Sequence, residues 1–457
     1  MKITVLSGSP KGKHSVSLQS LLYLSKKFKD HDYNIFHISK SIKKIESEND
    51  EFEKIINEVN SSDMVIWVTP VYSFLVPSQY KRFIELIFEK KAEYAFKNKF
   101  TGAITTSINF FDNCAHNYLR SISDDLDMKF CGSFSADSYD LLNEEERNKL
   151  LKFGEVFFAS TEKNMPLQKI FSKDEFTPKT YNPQKTNEKI DFKDKKILIV
   201  KDRSYEGENM YHMINSFKEC ISSEFEEIDL STLDIKGGCT GCVQCGFDHH
   251  CMYEGVDDFI DFFNEKVKKA DIMIIAGKIK DRWLSSKWKE FFDRSFFHNH
   301  IPSMMGKQVG ILISGSLSNQ ANLKEIMESF IQWQRANLCD IVTDEFVEST
   351  QTSIQNLAKR LKIESELEFV APQGFPGKGG HKIFRDDIFA RHRFVFQTDH
   401  KWYEENGFYD FPQYDEKALE MSENMIKLTS DPNMREAIRK MLKTEMVKPH
   451  AKIVENS

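Results

Sequence analysis

The sequence predicts an α/β chain in which one doubly wound, parallel, five-stranded sheet is built twice in tandem and followed by a helical tail. The chain aligns with itself: Asp63-Met-Val-Ile-Trp-Val-Thr lies over Asp271-Ile-Met-Ile-Ile-Ala-Gly, and Gln79-Tyr-Lys-Arg-Phe-Ile-Glu over Lys287-Trp-Lys-Glu-Phe-Phe-Asp, both at an offset of 208. Each copy alternates short apolar runs with amphipathic stretches, the βα rhythm of a parallel sheet covered on both faces. Nearer the start, Lys2-Ile-Thr-Val-Leu matches Lys196-Ile-Leu-Ile-Val at an offset of 194, so the second copy carries 14 extra residues between its first and third strands. Four cysteines fall in that stretch.

The first copy, residues 1–162, reads as strands at 2–7, 33–38, 63–69, 100–107 and 129–135. Apolar residues between them recur at helical spacing, as in Leu18, Leu21, Leu22 and Phe28, or Tyr80, Phe83, Ile84 and Phe88. Residues 163–194 hold Pro166, Pro178 and Pro183 among polar residues with little periodicity, which predicts an extended linker. The second copy, 195–366, repeats the pattern with strands at 195–201, 225–230, 270–276, 307–314 and 338–343. Trp283 and Trp288, at helical spacing, are expected to pack on the helix after its third strand. The tail, 367–457, opens with Pro372, Gly374, Pro376 and Gly377 and has no counterpart in the repeat. Its segment from His381 to Phe396 mixes Phe384, Phe389 and Phe396 with Lys382, Arg385 and Arg391. That mixture suits a helix packed on the second copy, with a membrane-surface helix or an active-site lid as alternatives.

At 457 residues and 40% apolar content the chain exceeds one core and fits two domains plus extras. The 63 basic and 70 acidic residues are interspersed, so nothing favours a nucleic-acid partner. No apolar run reaches the roughly 20 residues of a membrane helix, and Met1 leads straight into a strand; the expectation is a cytoplasmic protein. Eight cysteines are too few for a disulfide scaffold, and four within 13 residues read as metal or redox use in a reducing compartment.

Strand one ends in Leu6-Ser-Gly-Ser-Pro-Lys-Gly-Lys-His-Ser-Val-Ser before a helix. Backbone N–H groups, hydroxyls and a helix N-terminus there make a phosphate seat, with Lys11 and Lys13 adding charge. The turn is neither a P-loop nor a GxGxxG pattern. Strand three ends in Thr69-Pro-Val-Tyr-Ser-Phe-Leu-Val-Pro. In a doubly wound sheet the ends of strands one and three flank the switch point, so both loops face one crevice. Pro70 stiffens this loop, Tyr72 and Phe74 offer aromatic surface, and the amides of Val71 through Phe74 are available to the polar edge of a ring.

These residues, Gly8-Ser9-Pro10-Lys11 with Ser15 to Ser17 and Thr69-Pro70-Val71-Tyr72, resemble the flavodoxin-like NAD(P)H-dependent FMN reductases and iron-sulfur flavoproteins. The resemblance spans both copies and implies two flavodoxin-like sheets. It also implies an FMN whose phosphate meets Ser9, Lys11, Ser15, Val16 and Ser17, and whose ring meets Pro70, Val71, Tyr72, Ser73 and Phe74, with a third contact from Thr106 and Ser107 after strand four. The family's usual Asn-Thr is Ser15-Val-Ser here, which keeps the hydroxyls and loses the Asn. In the second copy Asp202, Glu206 and Glu208 occupy the phosphate-turn position and Lys278-Ile-Lys replaces Pro70-Val-Tyr, so one FMN per chain is expected.

Cys239, Cys242, Cys245 and Cys251 follow a C-x2-C-x2-C-x5-C spacing. Three thiolates two residues apart with a fourth close by suit a [4Fe-4S] cluster better than the separated knuckles of a zinc site; free thiols, or zinc with His249 or His250, stay open. Cys114, Cys131, Cys220 and Cys339 are expected to be ordinary core thiols. In the iron-sulfur flavoproteins, as the resemblance implies, flavin and cluster meet across a dimer interface; a tandem chain would reproduce that pair as an internal pseudo-dimer, with or without further homo-oligomerisation. The activity implied is an NAD(P)H-dependent FMN oxidoreductase passing electrons to an acceptor. The rivals are an iron-sulfur electron carrier fed by ferredoxin and a non-catalytic binding module with a degenerate flavin site. No catalytic side chain is singled out, because the chemistry is the cofactor's.

Overall fold

The structure, a computed structural model, describes all residues except 187, 299, 411–414 and 457 and the side chains of 443, 444 and 449, so one linker position, one second-copy position and five tail positions lie outside the described residues. The first sheet runs β1 (Lys2–Ser7), β2 (Asp32–His37), β3 (Met64–Pro70), β4 (Phe100–Ser107) and β5 (Lys129–Asp137), ordered β2-β1-β3-β4-β5 with parallel pairing. The second has β6 (Ile197–Lys201), β7 (Phe225–Asp229), β8 (Ile272–Lys280), β9 (Trp283–Leu284), β10 (Gln308–Ser314) and β11 (Asn337–Thr343), with β7-β6-β8-β10-β11 repeating the first order. Both are flavodoxin-like α/β sheets. The central strands are buried on both faces, which is why they read as continuous apolar runs.

The second sheet has six strands rather than the expected five. β8 continues past Ala276 and turns through Asp281 and Arg282, both with positive φ (46° and 68°), so that Trp283–Leu284 folds back antiparallel on it. Two positive-φ residues between paired strands are the two-residue hairpin turn. Trp283 therefore sits in this hairpin and not on the following helix, where only Trp288 lies.

One buried apolar cluster runs through both copies, taking in Trp67 and Phe83 from the first and Trp283, Phe291 and Phe330 from the second. At its centre the helix Ser78–Glu89 packs on its repeat equivalent, Ser286–Arg294. The polar contacts here come in pairs related by the 208-residue offset. Asp293 accepts the Ser78 N–H at 2.7 Å, and Glu85 accepts the Ser286 N–H at 2.6 Å. Lys81 donates to the Lys280 carbonyl at 2.8 Å, and Lys289 to the Tyr72 carbonyl at 2.9 Å. Residue i meeting j while j's equivalent meets i's is the pattern of an isologous interface, here within one chain.

The chain forms two compact units, Met1–His400 and Lys401–Ser457. The first thus holds both sheets, the linker, the helix Phe375–Asp387 and the π-helical turn Ile388–His392. The second contains the helices Glu416–Leu428 and Pro432–Glu455. Among the described residues no helix is long and apolar enough to cross a membrane.

Candidate active site

The phosphate turn is positioned by close packing. Ser39 Oγ donates to the Gly8 carbonyl at 2.7 Å, and the Gly8 N–H donates to Val68 at 2.7 Å. A Cβ on Gly8 would lie 2.6 Å from the Tyr80 ring, so only glycine lets the chain pass there. Ser15 caps the helix Val16–Lys27 by accepting the Leu18 N–H at 3.3 Å, which aims the helix N-terminus at the turn. The Ser17 hydroxyl is buried with no hydrogen-bond partner, and so is that of Thr106 at the end of β4. A buried orphan hydroxyl costs about 1–3 kcal/mol; two on one cavity mark where a polar ligand completes the bonding.

The loop after β3 is a two-residue hairpin turn as well. Tyr72 and Leu75 exchange backbone bonds at 2.7 and 2.9 Å, with Ser73 and Phe74 at φ 40° and 72°. Of the four amides expected to serve a ring, Val71 donates to the Thr106 carbonyl at 3.0 Å and Tyr72 to Leu75, so those two are taken by the fold itself. Ser73 and Phe74 make no such backbone bond among the described residues. Non-glycine residues in the left-handed region cost of order 1–3 kcal/mol each, a strain that concentrates at functional sites.

All twelve residues named from the sequence as cofactor contacts line one cavity of about 450 Å3, a volume within the usual range for ligand sites. Lys13, also singled out, does not line it. The cavity fits a flavin mononucleotide by donor chemistry: hydroxyls and a helix N-terminus at one part, apolar and aromatic walls at another. The rest of its wall comes from residues the sequence reading missed. Phe296, His300 and Trp333 are from the second copy, and Phe384, His392 and Phe396 from the tail. The signal for the tail residues was the aromatic and basic density of 381–396; the second-copy residues carried none, and convergence from positions this far apart is visible only in the fold. The tail segment is fastened by Arg391, which bonds both Asp137 oxygens at 2.9 and 3.0 Å and Asp387 at 2.7 Å.

The cysteine loop packs directly on the turn after β3. Gln79 Nε2 donates to the Cys239 carbonyl at 3.1 Å, and a Cβ on Gly241 (φ 67°) would fall 1.9 Å from the Tyr72 hydroxyl. Cys239, Gly241 and Val243 join the wall of the large cavity. All four cysteines line an adjoining space of about 30 Å3 with Arg294 at its edge. Burial raises the Cys239 thiol to about 12, and lifts Cys245 and Cys251 as well. Among the described residues no three His, Cys, Asp or Glu side chains are placed to hold a single metal ion. His249 and His250 are turned to Asp399 (3.0 Å) and Glu254 (2.6 Å), so the zinc alternative loses its nitrogen donors. Four thiols on one space match a cluster in donor number, yet the space itself is that of one or two waters, so no step is derived through a cluster.

Cys114, Cys220 and Cys339 are buried and Cys131 half-buried, all as free thiols. Trp288 donates to the Ala276 carbonyl at 3.1 Å, a packing role.

Residues 1–139 match the model of the family described as NADPH-dependent FMN reductase. No curated protein matches the chain. Among solved structures it is similar to RosB with a bound 8-demethyl-8-formylriboflavin-5'-phosphate, at 14% identity over 42% of this chain and 87% of that one, with a TM-score of 0.32. It is also similar to FerB, an NAD(P)H:(acceptor) oxidoreductase from Paracoccus denitrificans, at 17% identity over 35% of this chain and 97% of that one, TM-score 0.28. The NADH:FMN oxidoreductase EmoB in its apo form follows at 18% identity, 35% and 89% coverage and TM-score 0.30. The first copy thus carries the sequence of the NADPH-dependent FMN reductase family in residues 1–139, and the second sheet repeats its strand order.

Proposed function

We propose that this flavin-dependent NAD(P)H oxidoreductase binds one FMN per chain, in the 450 Å3 cavity of its first copy, and reduces a small-molecule acceptor there. The observation that carries the reading is the convergence of the phosphate turn, the loop after β3 and the end of β4 on one cavity, with Ser17 and Thr106 hydroxyls left unpartnered inside it. When bound, FMN supplies two-electron chemistry with the nicotinamide. Ser9, Ser15, Ser17 and the helix N-terminus would hold its phosphate, and Pro70 to Phe74 with Thr106 and Ser107 its ring system. The second copy and the tail wall the cavity against water, which supports an internal pseudo-dimer as the working unit. A cytoplasmic setting accords with eight cysteines that form no disulfide.

A second reading is an electron carrier that receives electrons from ferredoxin through a [4Fe-4S] cluster on Cys239, Cys242, Cys245 and Cys251. It is favoured by one observation, that the four thiols share a space adjoining the flavin cavity through Cys239 and Gly241. One experiment separates the readings: an absorbance spectrum of anaerobically purified protein, with FMN, iron and acid-labile sulfide assayed on the same sample. One FMN per chain, bleached rapidly by NADPH or NADH, is the expected result. About four iron and four sulfide per chain with rapid reduction by ferredoxin and slow reduction by pyridine nucleotide would replace it by the carrier. A colourless protein that cannot be reconstituted with FMN would leave a binding module.

A further inference from the structure

The cavity of the first copy reaches solvent beside the phosphate turn: of its wall residues, Lys11, Val16 and Tyr139 are the exposed ones. Three lysine side chains gather on that side, where the first copy's phosphate turn meets the second copy's cysteine loop. Lys40 lies over the turn, since a Cβ on Gly12 would be 2.7 Å from its Cδ and 3.7 Å from its Nζ. Lys43 lies against the start of the loop, its Cε 3.6 Å and its Nζ 3.9 Å from a Cβ placed on Gly237. Lys11 reaches from one to the other, its Cε 3.0 Å from a Cβ on Gly241.

Lys40 and Lys43 are exposed, and among the described residues neither ammonium makes a hydrogen bond or an ion pair. The neighbouring carboxylates are already held: Glu46 on the same helix by Arg82, Glu48 and Glu51 beyond it by Lys44, and Asp234 before the loop by Lys236. The two lysines stand three residues apart on one face of the helix Ile38–Ser47, with Lys40 in its first turn. Like charges at that spacing, and a cation at the positive end of the helix dipole, both work against the helix. His37, at the N-cap, is held below its ordinary range by burial and by Lys40. Positive charge is thus concentrated and uncompensated here, in a chain whose formal charge is −7. A bound anion would relieve each of these costs.

We propose that Lys40 and Lys43 are specificity-determining residues that bind the 2′-phosphate of NADPH and so favour it over NADH. The inference rests on the flavin reading above. A nicotinamide that enters the cavity from this side leaves the adenosine half of its dinucleotide outside, on the rim. The group that distinguishes NADPH from NADH is on that half, a phosphate of about −1.5 to −2 charge near pH 7. Two ammonium groups on one helix face share it, while Lys11 stays with the FMN phosphate. Neither Lys40 nor Lys43 takes part in the chemistry; they hold the nucleotide, and the reaction remains that of the cavity.

The test titrates the protein with 2′,5′-ADP and with 5′-AMP, which differ only in the 2′-phosphate, and follows flavin bleaching by NADPH and by NADH. The wild type is expected to bind 2′,5′-ADP about tenfold or more tighter than 5′-AMP, the return on charge-assisted bonds to a phosphate. The double variant Lys40→Ala, Lys43→Ala should abolish that difference and raise KM for NADPH about tenfold, with KM for NADH and the FMN content unchanged. Lys40→Glu should turn the preference toward NADH. Added salt should narrow the wild-type difference, because exposed charges are screened. Lys44→Ala, whose ammonium is already paired with Glu51, should change none of these values. Equal binding of the two nucleotides by the wild type, equal KM rises for NADPH and NADH, or loss of FMN from the lysine variants would each overturn the assignment. A defect confined to reduction by ferredoxin would overturn it as well and give the lysines to an acidic protein. Wild-type protein that takes up no FMN would overturn the flavin reading; the 2′,5′-ADP titration needs no flavin and would still decide for or against the lysines.

Discussion

After β3, Ser73 and Phe74 take φ of 40° and 72°; after β8, their repeat equivalents Asp281 and Arg282 take 46° and 68°. The first turn borders an open cavity, with Phe74 among the aromatic side chains that line it. At the second, Arg282 is 7% exposed and clamps Asp125 through two bonds of 2.6 and 2.7 Å. It also reaches the Ser172 carbonyl of the linker, and two residues on Asp174 bonds Ser316 and Gln320. The same backbone thus supports a ligand crevice in one copy and a latch in the other. A strained turn is retained because it shapes the isologous contact between the two halves; the side chains set on it decide whether a ligand or another part of the chain fills the crevice.

The latch is the place to break this contrast. Arg282→Ala should cost about 2–4 kcal/mol, because it strands a half-buried carboxylate at Asp125 and removes the bond to the Ser172 carbonyl. Urea denaturation would read the loss, and FMN affinity per folded chain should stay within about twofold; a large FMN effect with unchanged stability would reverse the assignment of the two turns.

The next largest effect concerns the position equivalent to Gly8. In the second copy it is Asp202, 5% exposed and raised to about 6 by burial. The folded carboxyl holds its proton more tightly than the unfolded one, whose pKa is near 4. Stability is therefore highest below pH 4, declines as pH rises from about 4 to about 6, and is flat above. Asp202→Asn should remove that decline and stabilise the protein at pH 7 by roughly 1–3 kcal/mol. Asp281, also raised to about 6 by burial, adds a parallel decline that the substitution leaves in place. Identical pH–stability curves for the variant and the wild type would count against a buried carboxyl at this position.

Smaller effects sharpen the other half of the comparison. Ser17→Ala and Thr106→Ala should each weaken FMN binding about fivefold, near 1 kcal/mol, without destabilising the FMN-free protein, since neither hydroxyl has a partner there. Fluorescence titration with FMN measures it. Ser204→Ala, in the second copy's phosphate-turn segment, should leave the titration unchanged. Least affected should be Arg391→Ala, which frees the tail from Asp137. A partly exposed ion pair contributes about 0–1 kcal/mol, so the melting curve should barely move while FMN release quickens by a few fold in stopped flow.

Much of this was readable in the sequence, for local reasons. Ten strands were visible because buried parallel strands are short apolar runs. The twelve cofactor candidates come together because loops at the carboxyl ends of neighbouring strands converge at a switch point whatever their side chains. The hairpin strand Trp283–Leu284 was not legible, since two residues carry no period, and Trp283 read as helical for the same reason. The engagement of the Val71 and Tyr72 amides depends on turn geometry that the letters Pro-Val-Tyr do not encode. His300, Trp333 and Phe384 lie far from the first copy's loops in the chain, and only tertiary packing brings them to that cavity.

The helix pair Ser78–Glu89 and Ser286–Arg294, with its reciprocal lysine and carboxylate bonds, has a consequence for how such a protein can change. Two separate identical subunits would meet only as often as their concentration allows, and any substitution would appear on both sides of the contact at once. Tethering makes the encounter intramolecular, so the cavity wall assembles at any dilution. It also lets one half shed its ligand loops while the other keeps them, a division of labour closed to a symmetric pair.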